Sequence, residues 1–229
     1  MVPGYKLKMM NEGVDVMKKY DMKLDAFAGL YRITALKDFG SVKAGDVGGL
    51  IESEANMSHD GDCWVSGNAR VCGNAKVSDN AQVSGDARVS SNARVTGNAQ
   101  VSDYARVSGN SWVSDNAQVS GDATVHGKVW MFGCARVSGD ARVSGNARVF
   151  GNAKVYGKAW VFSNAWVFGD AMVFGDAMVF GDARVSGHAR VFGNARVSGK
   201  SCIFGNSCIS GNALMMWLRR SFDRYFSGG

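Results

Sequence analysis

A six-residue repeat runs without insertion from Val65-Ser66-Gly67-Asn68-Ala69-Arg70 to Ile209-Ser210-Gly211-Asn212-Ala213-Leu214. Those 150 residues hold 25 hexads in a single register. A short fixed period leaves each unit able to bury its apolar side only against its neighbours, which is the condition for a solenoid. Valine opens every hexad except those with Met131, Ile203 and Ile209, and the fifth position is alanine except at Ser111, Val129, Ser201 and Ser207. Across the joint between hexads, Ala-Arg-Val-Ser alternates small, polar, apolar, polar. That is the period-two pattern of a short strand with one buried face. Gly-Asn and Gly-Asp then supply a corner, because glycine accepts positive φ and Asn and Asp tolerate it.

A large aliphatic residue with a small one two positions before it, repeated every six, resembles the hexapeptide-repeat family. The resemblance covers about two-thirds of the chain. It implies a left-handed parallel β-helix with three flat faces and three hexads per coil. The period excludes a pentapeptide solenoid, and the Gly-Gly-x-Gly-x-Asp signature of the calcium-binding solenoid is absent. A right-handed β-helix is the structural rival. At three hexads per coil the repeat makes eight to nine coils, roughly 40 Å long at a strand spacing of ~4.8 Å. Its Val-on-Ala interior is too thin to hold a ligand. Asn74, Asn92 and Asn110 fall one coil apart, as do Asn80, Asn98 and Asn116, so amide ladders are expected at the corners.

The expected fold class is therefore an all-β solenoid with a cap at each end. Residues 17–64 read as an N-terminal β cap and an irregular first coil, with Val47, Ile51, Met57 and Cys63 pointing inward. The runs Tyr31-Arg32-Ile33, Lys43-Ala44-Gly45-Asp46, Gly48-Gly49, Ile51-Glu52-Ser53-Glu54 and Asp60-Gly61-Asp62-Cys63-Trp64 are similar to uncharacterised hexapeptide-repeat proteins of enterobacteria and their phages. That similarity implies a capped β-helix and a phage or prophage origin. Residues 1–16 have no place in it and read as a flexible extension. Residues 215–229 follow the last hexad. Leu214, Leu218, Phe222 and Phe226 recur every four residues beside Trp217 and Tyr225, so a short amphipathic helix is expected to cap the last coil.

Net charge is +6 and unevenly placed: the repeat carries 15 Lys/Arg against 9 Asp/Glu. A mildly basic surface permits an anionic partner but is more often a solvated face. No stretch is long and apolar enough to span a bilayer, and the opening Met1-Val2-Pro3-Gly4-Tyr5-Lys6 has no signal-peptide character. Cys63, Cys72, Cys134, Cys202 and Cys208 include no pair one coil apart, which favours free thiols in the cytoplasm. No Cys/His cluster has metal spacing, and no metal is expected.

Outward side chains occupy positions six and two, and sorting them by coil gives three faces. The first runs from Gln82, Gln100 and Gln118 to Tyr156 and Phe174. The second runs from Arg70, Arg88 and Arg106 to Trp160, Phe162 and Phe180. The third runs from Lys76 and Arg94 through Trp112, Trp130, Phe132 and Phe150 to Trp166 and Phe168. Every face turns from polar to aromatic along the chain. Stacked coils explain one aromatic column, but a change on all three faces points to an interface. The expected function is a non-enzymatic interaction or scaffold protein that binds itself, as a trimer in preference to a dimer, and a further host protein.

Two other functional classes remain open to such a chain. Hexapeptide-repeat proteins include acyltransferases, usually trimers, that hold acyl-CoA between subunits and use a histidine base. Of His59, His126 and His188, His126 is the best candidate base, with Thr124 beside it and Arg106 and Arg142 one coil either way. A general base needs an orienting partner and a pocket, and the uninterrupted hexads announce neither. Acyl-CoA is the only cofactor implied, and under that alternative alone. The columns Arg70, Arg88, Arg106 and Lys76, Arg94 are candidates for anion or nucleic-acid binding. Interleaved aspartates weaken that field and disfavour nucleic acid.

Overall fold

The computed structural model describes residues 18–216. They form a parallel β-solenoid of about nine turns, whose strands, mostly two residues long, stack into three sheets of 12, 9 and 8 strands. Each strand of the repeat pairs with the one 18 residues away: Arg70 with Arg88, Gln82 with Gln100, and Lys76 with Arg94. The three sheets are the three faces expected from the sequence. Inter-coil bonds are regular, as in Arg70 N–H to Ala87 O at 2.9 Å and Cys72 N–H to Val89 O at 3.0 Å.

The core is the column set read from the hexad. The position-one valines from Val65 to Val197 are buried, and so are Met131 and the position-five alanines from Ala69 to Ala195. Each fully buried valine contributes roughly 1.5–3 kcal/mol of apolar transfer. The corners follow from backbone geometry. At Gly109 φ is +74°, and a Cβ there would lie 2.7 Å from the backbone N and O of Gly127. A side chain is excluded both by conformation and by the next coil. The corner amides form the expected ladders: Asn74 to Asn92 at 3.1 Å, Asn92 to Asn110 at 3.0 Å, Asn80 to Asn98 at 3.1 Å and Asn98 to Asn116 at 3.2 Å.

The N-terminal end is built from an antiparallel hairpin, β1 (Tyr20–Asp25) and β2 (Leu30–Ala35), which pairs with β3 (Val47–Ile51). β3 in turn pairs in parallel with Arg70–Val71. Thus the first edge of this sheet is antiparallel and the rest is parallel. Ile51 pairs with Val71 and Met57 with Val77, 20 residues apart, whereas Trp64 pairs with Gln82 at the standard 18. The first coil therefore carries two additional residues, placed between Met57 and Trp64. Ile51, Met57 and Cys63 are buried as expected.

Two expectations are corrected. Val47 points outward and is 64% exposed. The pairing of β2 with β3 shifts between Arg32 and Thr34, so alternation extrapolated from the hexads fails across that irregularity. Gly48 and Gly49 are buried instead. A Cβ on Gly48 would lie 2.6 Å from the Trp64 ring, so bare backbone is needed there. Leu214–Met216 is a strand paired in parallel with Arg196–Ser198, not the start of a helix. The ladder offered by the preceding coil outweighs the helical spacing at these positions. The rest of the expected C-terminal helix lies outside the described residues, as does the 1–16 extension.

We predict that Val143→Asp, in the ladder between Val125 and Val161, lowers stability by more than about 3 kcal/mol, because it buries an unpaired carboxylate. The exposed neighbour change Arg142→Asp should cost less than about 0.5 kcal/mol. Thermal unfolding followed by circular dichroism reads both. An unchanged melting temperature for Val143→Asp would contradict the inward assignment.

Candidate functional site

The outward columns fall in register along each face. On the third face Trp112 pairs with Arg94 and Trp130, Trp130 with Arg148, and Arg148 with Trp166. The position-two rings stack as ladders. Phe132–Phe150 and Phe150–Phe168 lie 4.8 and 4.9 Å apart with interplanar angles of 7° and 5°. Tyr156–Phe174–Phe192 on the first face and Phe162–Phe180 on the second repeat this geometry at 4.9 Å. These spacings equal the strand spacing, so each ring covers its neighbour's face. Intrachain stacking thus accounts for part of the phenylalanine content. Phe132, Phe150, Phe162, Phe168, Phe174 and Phe180 are all half-buried, like Trp160 and Trp166.

The position-six column is different. The Arg148 guanidinium lies 4.9 Å from the Trp130 ring and 4.7 Å from Trp166, and Arg184 lies 4.9 Å from Trp166. Tryptophan and arginine alternate here as a stacked cation–π column. Trp112 and Trp130 meet edge to face at 6.2 Å and remain 42% and 45% exposed. They are the members of the expected interaction face that stacking covers least.

Arg70, Arg88 and Arg106 form one exposed column and Lys76 and Arg94 another. Among the described residues no arginine or lysine of the repeat makes an ion pair with a carboxylate. Like charges stacked at strand spacing repel, and the inter-coil backbone bonds hold them in register. The columns therefore present unneutralised charge outward.

The histidines separate clearly. His126 is exposed, and among the described residues its imidazole takes part in no hydrogen bond or ion pair, only its backbone N–H being bonded, to Val143 O at 3.0 Å. Thr124 does lie between Arg106 and Arg142 as expected, but nothing orients the imidazole. His59 has both ring nitrogens engaged. Nδ1 accepts from the Lys19 backbone N–H at 3.1 Å, so Nε2 carries the proton facing Glu54 Oε1 at 2.9 Å. His188 is exposed and lies 3.5 Å from Asp170. Among the described residues no group of three or more His, Cys, Asp or Glu is placed to hold a metal ion, and no helix is long and apolar enough to cross a membrane. All five cysteines are free.

Sequence reasoning missed two features. Asp79, Asp103 and Asp115 replace glycine at the third position with φ near 60°. Each carboxylate accepts the backbone N–H of the glycine one coil on, at 2.9 Å. The Asp-for-Gly replacement was the available signal. The second is a buried polar cluster beneath the N-terminal hairpin. Lys19 Nζ donates to Cys63 O at 2.9 Å and lies 3.2 Å from Cys63 Sγ, while Tyr20 stacks on His59 at 4.4 Å and donates to Met57 O at 2.8 Å. Burial pushes the Cys63 thiol above its ordinary range, with Lys19 opposing. Nothing in the hexad pattern announces this cluster.

Compared with known proteins, the chain matches the family described as YdcK Beta solenoid repeat over residues 69–85, 81–97, 87–103, 99–115, 117–133, 135–149, 183–199 and 189–205. It is a β-solenoid repeat protein. No curated protein matches it. The matched windows stop at residue 149 and resume at 183, and Phe150, Trp160, Phe162, Trp166, Phe168, Phe174 and Phe180 lie between them.

Glu54 ties the hairpin to the first coil, and its pKa lies below the ordinary 4.5 because of His59 first and Lys18 next. A depressed carboxylate contributes stability that is complete above its unfolded pKa and lost as pH falls through the folded value. We expect the melting temperature of Glu54→Gln to fall less than that of the wild type on acidification from about pH 5 to about pH 3. Equal falls would remove Glu54 from the account.

Proposed function

We propose that this chain is a non-enzymatic β-helical interaction protein of phage or prophage descent that acts in the cytoplasm. It binds copies of itself, as a trimer in preference to a dimer, and a host protein, through the aromatic half of the solenoid. The left-handed winding implied by the hexapeptide resemblance belongs to the same reading. The observation that carries it is the register of Trp130, Phe132, Phe150, Trp166 and Phe168 on one flat face. Aromatic columns continue on both other faces, in Tyr156–Phe174–Phe192 and Phe162–Phe180.

Intrachain ladders cover the flat sides of these rings and leave their outer edges in water. A rigid sheet holds those edges in place, so little ordering cost remains when a second surface meets them. A closed trimer buries strips on two neighbouring faces of each prism, and closed symmetry stops fibre growth. Each large side chain buried at such a contact contributes roughly 1.5–3 kcal/mol before association costs. The acyltransferase alternative gains no comparable support, since no contact orients His126.

Light scattering at micromolar concentration is expected to show an oligomer, most simply a trimer. Trp166→Arg combined with Phe168→Ser should shift it towards monomer with its β-sheet signal intact. A monodisperse wild-type monomer would overturn self-association. Saturable acyl-CoA binding abolished by His126→Ala would instead favour the enzyme.

A further inference from the structure

The Trp–Arg column on the third face shows what these indoles accept. Trp166 is held between the guanidiniums of Arg148 and Arg184, and Trp130 carries Arg148 on one side. Trp112 stacks with no cation among the described residues, although Arg94 is its ladder partner. Its indole N–H donates to Thr96 Oγ1 at 3.0 Å, which fixes the ring while leaving it 42% exposed.

Beside Trp112 and Trp130 runs the corner column Asp79, Gly97, Asp115. Together with Thr96 these residues line a groove of about 430 Å³. Gly97 brings no side chain, so a gap opens between two aspartates that lie two strand spacings, roughly 9.6 Å, apart. Each aspartate uses Oδ2 to accept a backbone N–H, from Gly97 and Gly133 respectively. Among the described residues neither Oδ1 has a hydrogen-bond donor, and neither carboxylate has a cationic partner. Indole faces and unneutralised carboxylates in one groove are complementary to a guanidinium or alkylammonium group.

We propose that this groove docks a single arginine or lysine side chain presented by a partner protein. The cation lies against Trp112 with its charge between Asp79 and Asp115. This rests on the reading of the chain as a protein-binding solenoid and names the chemistry of one contact. The occupant is one anchoring residue and not a basic tract, because Lys76 and Arg94 on one side and Arg148 on the other are cationic on the same face and, among the described residues, have no carboxylate partner. The two aspartates oppose a phosphate group at the point between them.

The test follows the indole N–H signals of the full chain by NMR while N-acetyl-arginine-N-methylamide is added. Its uncharged citrulline counterpart serves as the control. The Trp112 and Trp130 signals should shift saturably with the arginine probe and not with citrulline, while Trp166, already sandwiched, stays in place. Asp79→Asn with Asp115→Asn keeps the acceptor for each glycine N–H and should weaken binding at least about fivefold, with the circular dichroism spectrum unchanged. No saturable shift, an equal response to citrulline, or undiminished binding to the double variant overturns the proposal. So does a fall in oligomer mass for that variant by light scattering, which would assign the groove to a second copy. A wild-type monomer that still binds the arginine probe through these aspartates overturns self-association alone and upholds the docking groove.

Discussion

The hydrogen bond between consecutive coils is the interaction on which every other feature depends. Asn68 N–H reaches Gly85 O, Arg70 N–H reaches Ala87 O and Cys72 N–H reaches Val89 O, all at 2.9–3.0 Å. Because these bonds run along the axis, the residue one coil on must have the same backbone conformation. That requirement selects a small or φ-tolerant residue at each corner and a side chain of fixed size at each inward position. Val and Ala stacked on themselves meet it with no packing variety. Met131 is the one larger residue fully buried in the repeat, and Val129 stands two positions before it in place of alanine.

The same regularity converts chemistry into columns. Where the sequence repeats a residue type at one outward position in successive coils, its copies stand one strand spacing apart, whether it is Arg, Phe or Asn. For amides the outcome is favourable, since each donates to the next. For planar aromatics it is a stacked ladder at the sheet's own period. For arginine it is repulsion, relieved on the third face by interleaving indoles between guanidiniums.

The faces, the inward columns and the amide ladders were legible because they depend only on counting by six. Gln82, Gln100 and Gln118 could be placed on one face before any contact was known. Legibility ended where counting ended. Val47 lies beyond a register shift and two additional residues, so its orientation follows from how the hairpin docks. Met215 could not be read from its helical neighbours because the preceding coil offers it a ladder. The stacking of Arg148 on Trp130 and Trp166 needed side-chain directions as well as register. The groove over Gly97 arises from Asp79 and Asp115 sitting on alternate coils, a pattern visible in the letters but meaningless without the corner geometry.

The two additional residues of the first coil show how such a chain tolerates change. Between Met57 and Trp64 the length differs from the hexad, yet Trp64 resumes the 18-residue pairing with Gln82, because the surplus is absorbed at a corner. Length changes elsewhere have geometrically distinct results. A gain of three hexads lengthens the prism and leaves every column on its face. A gain of one hexad turns all later residues by a third of a revolution, so that Trp166 would continue the Gln82 column. Duplication within the repeat can therefore re-sort surface chemistry in one step while leaving the Val/Ala interior indifferent to the event.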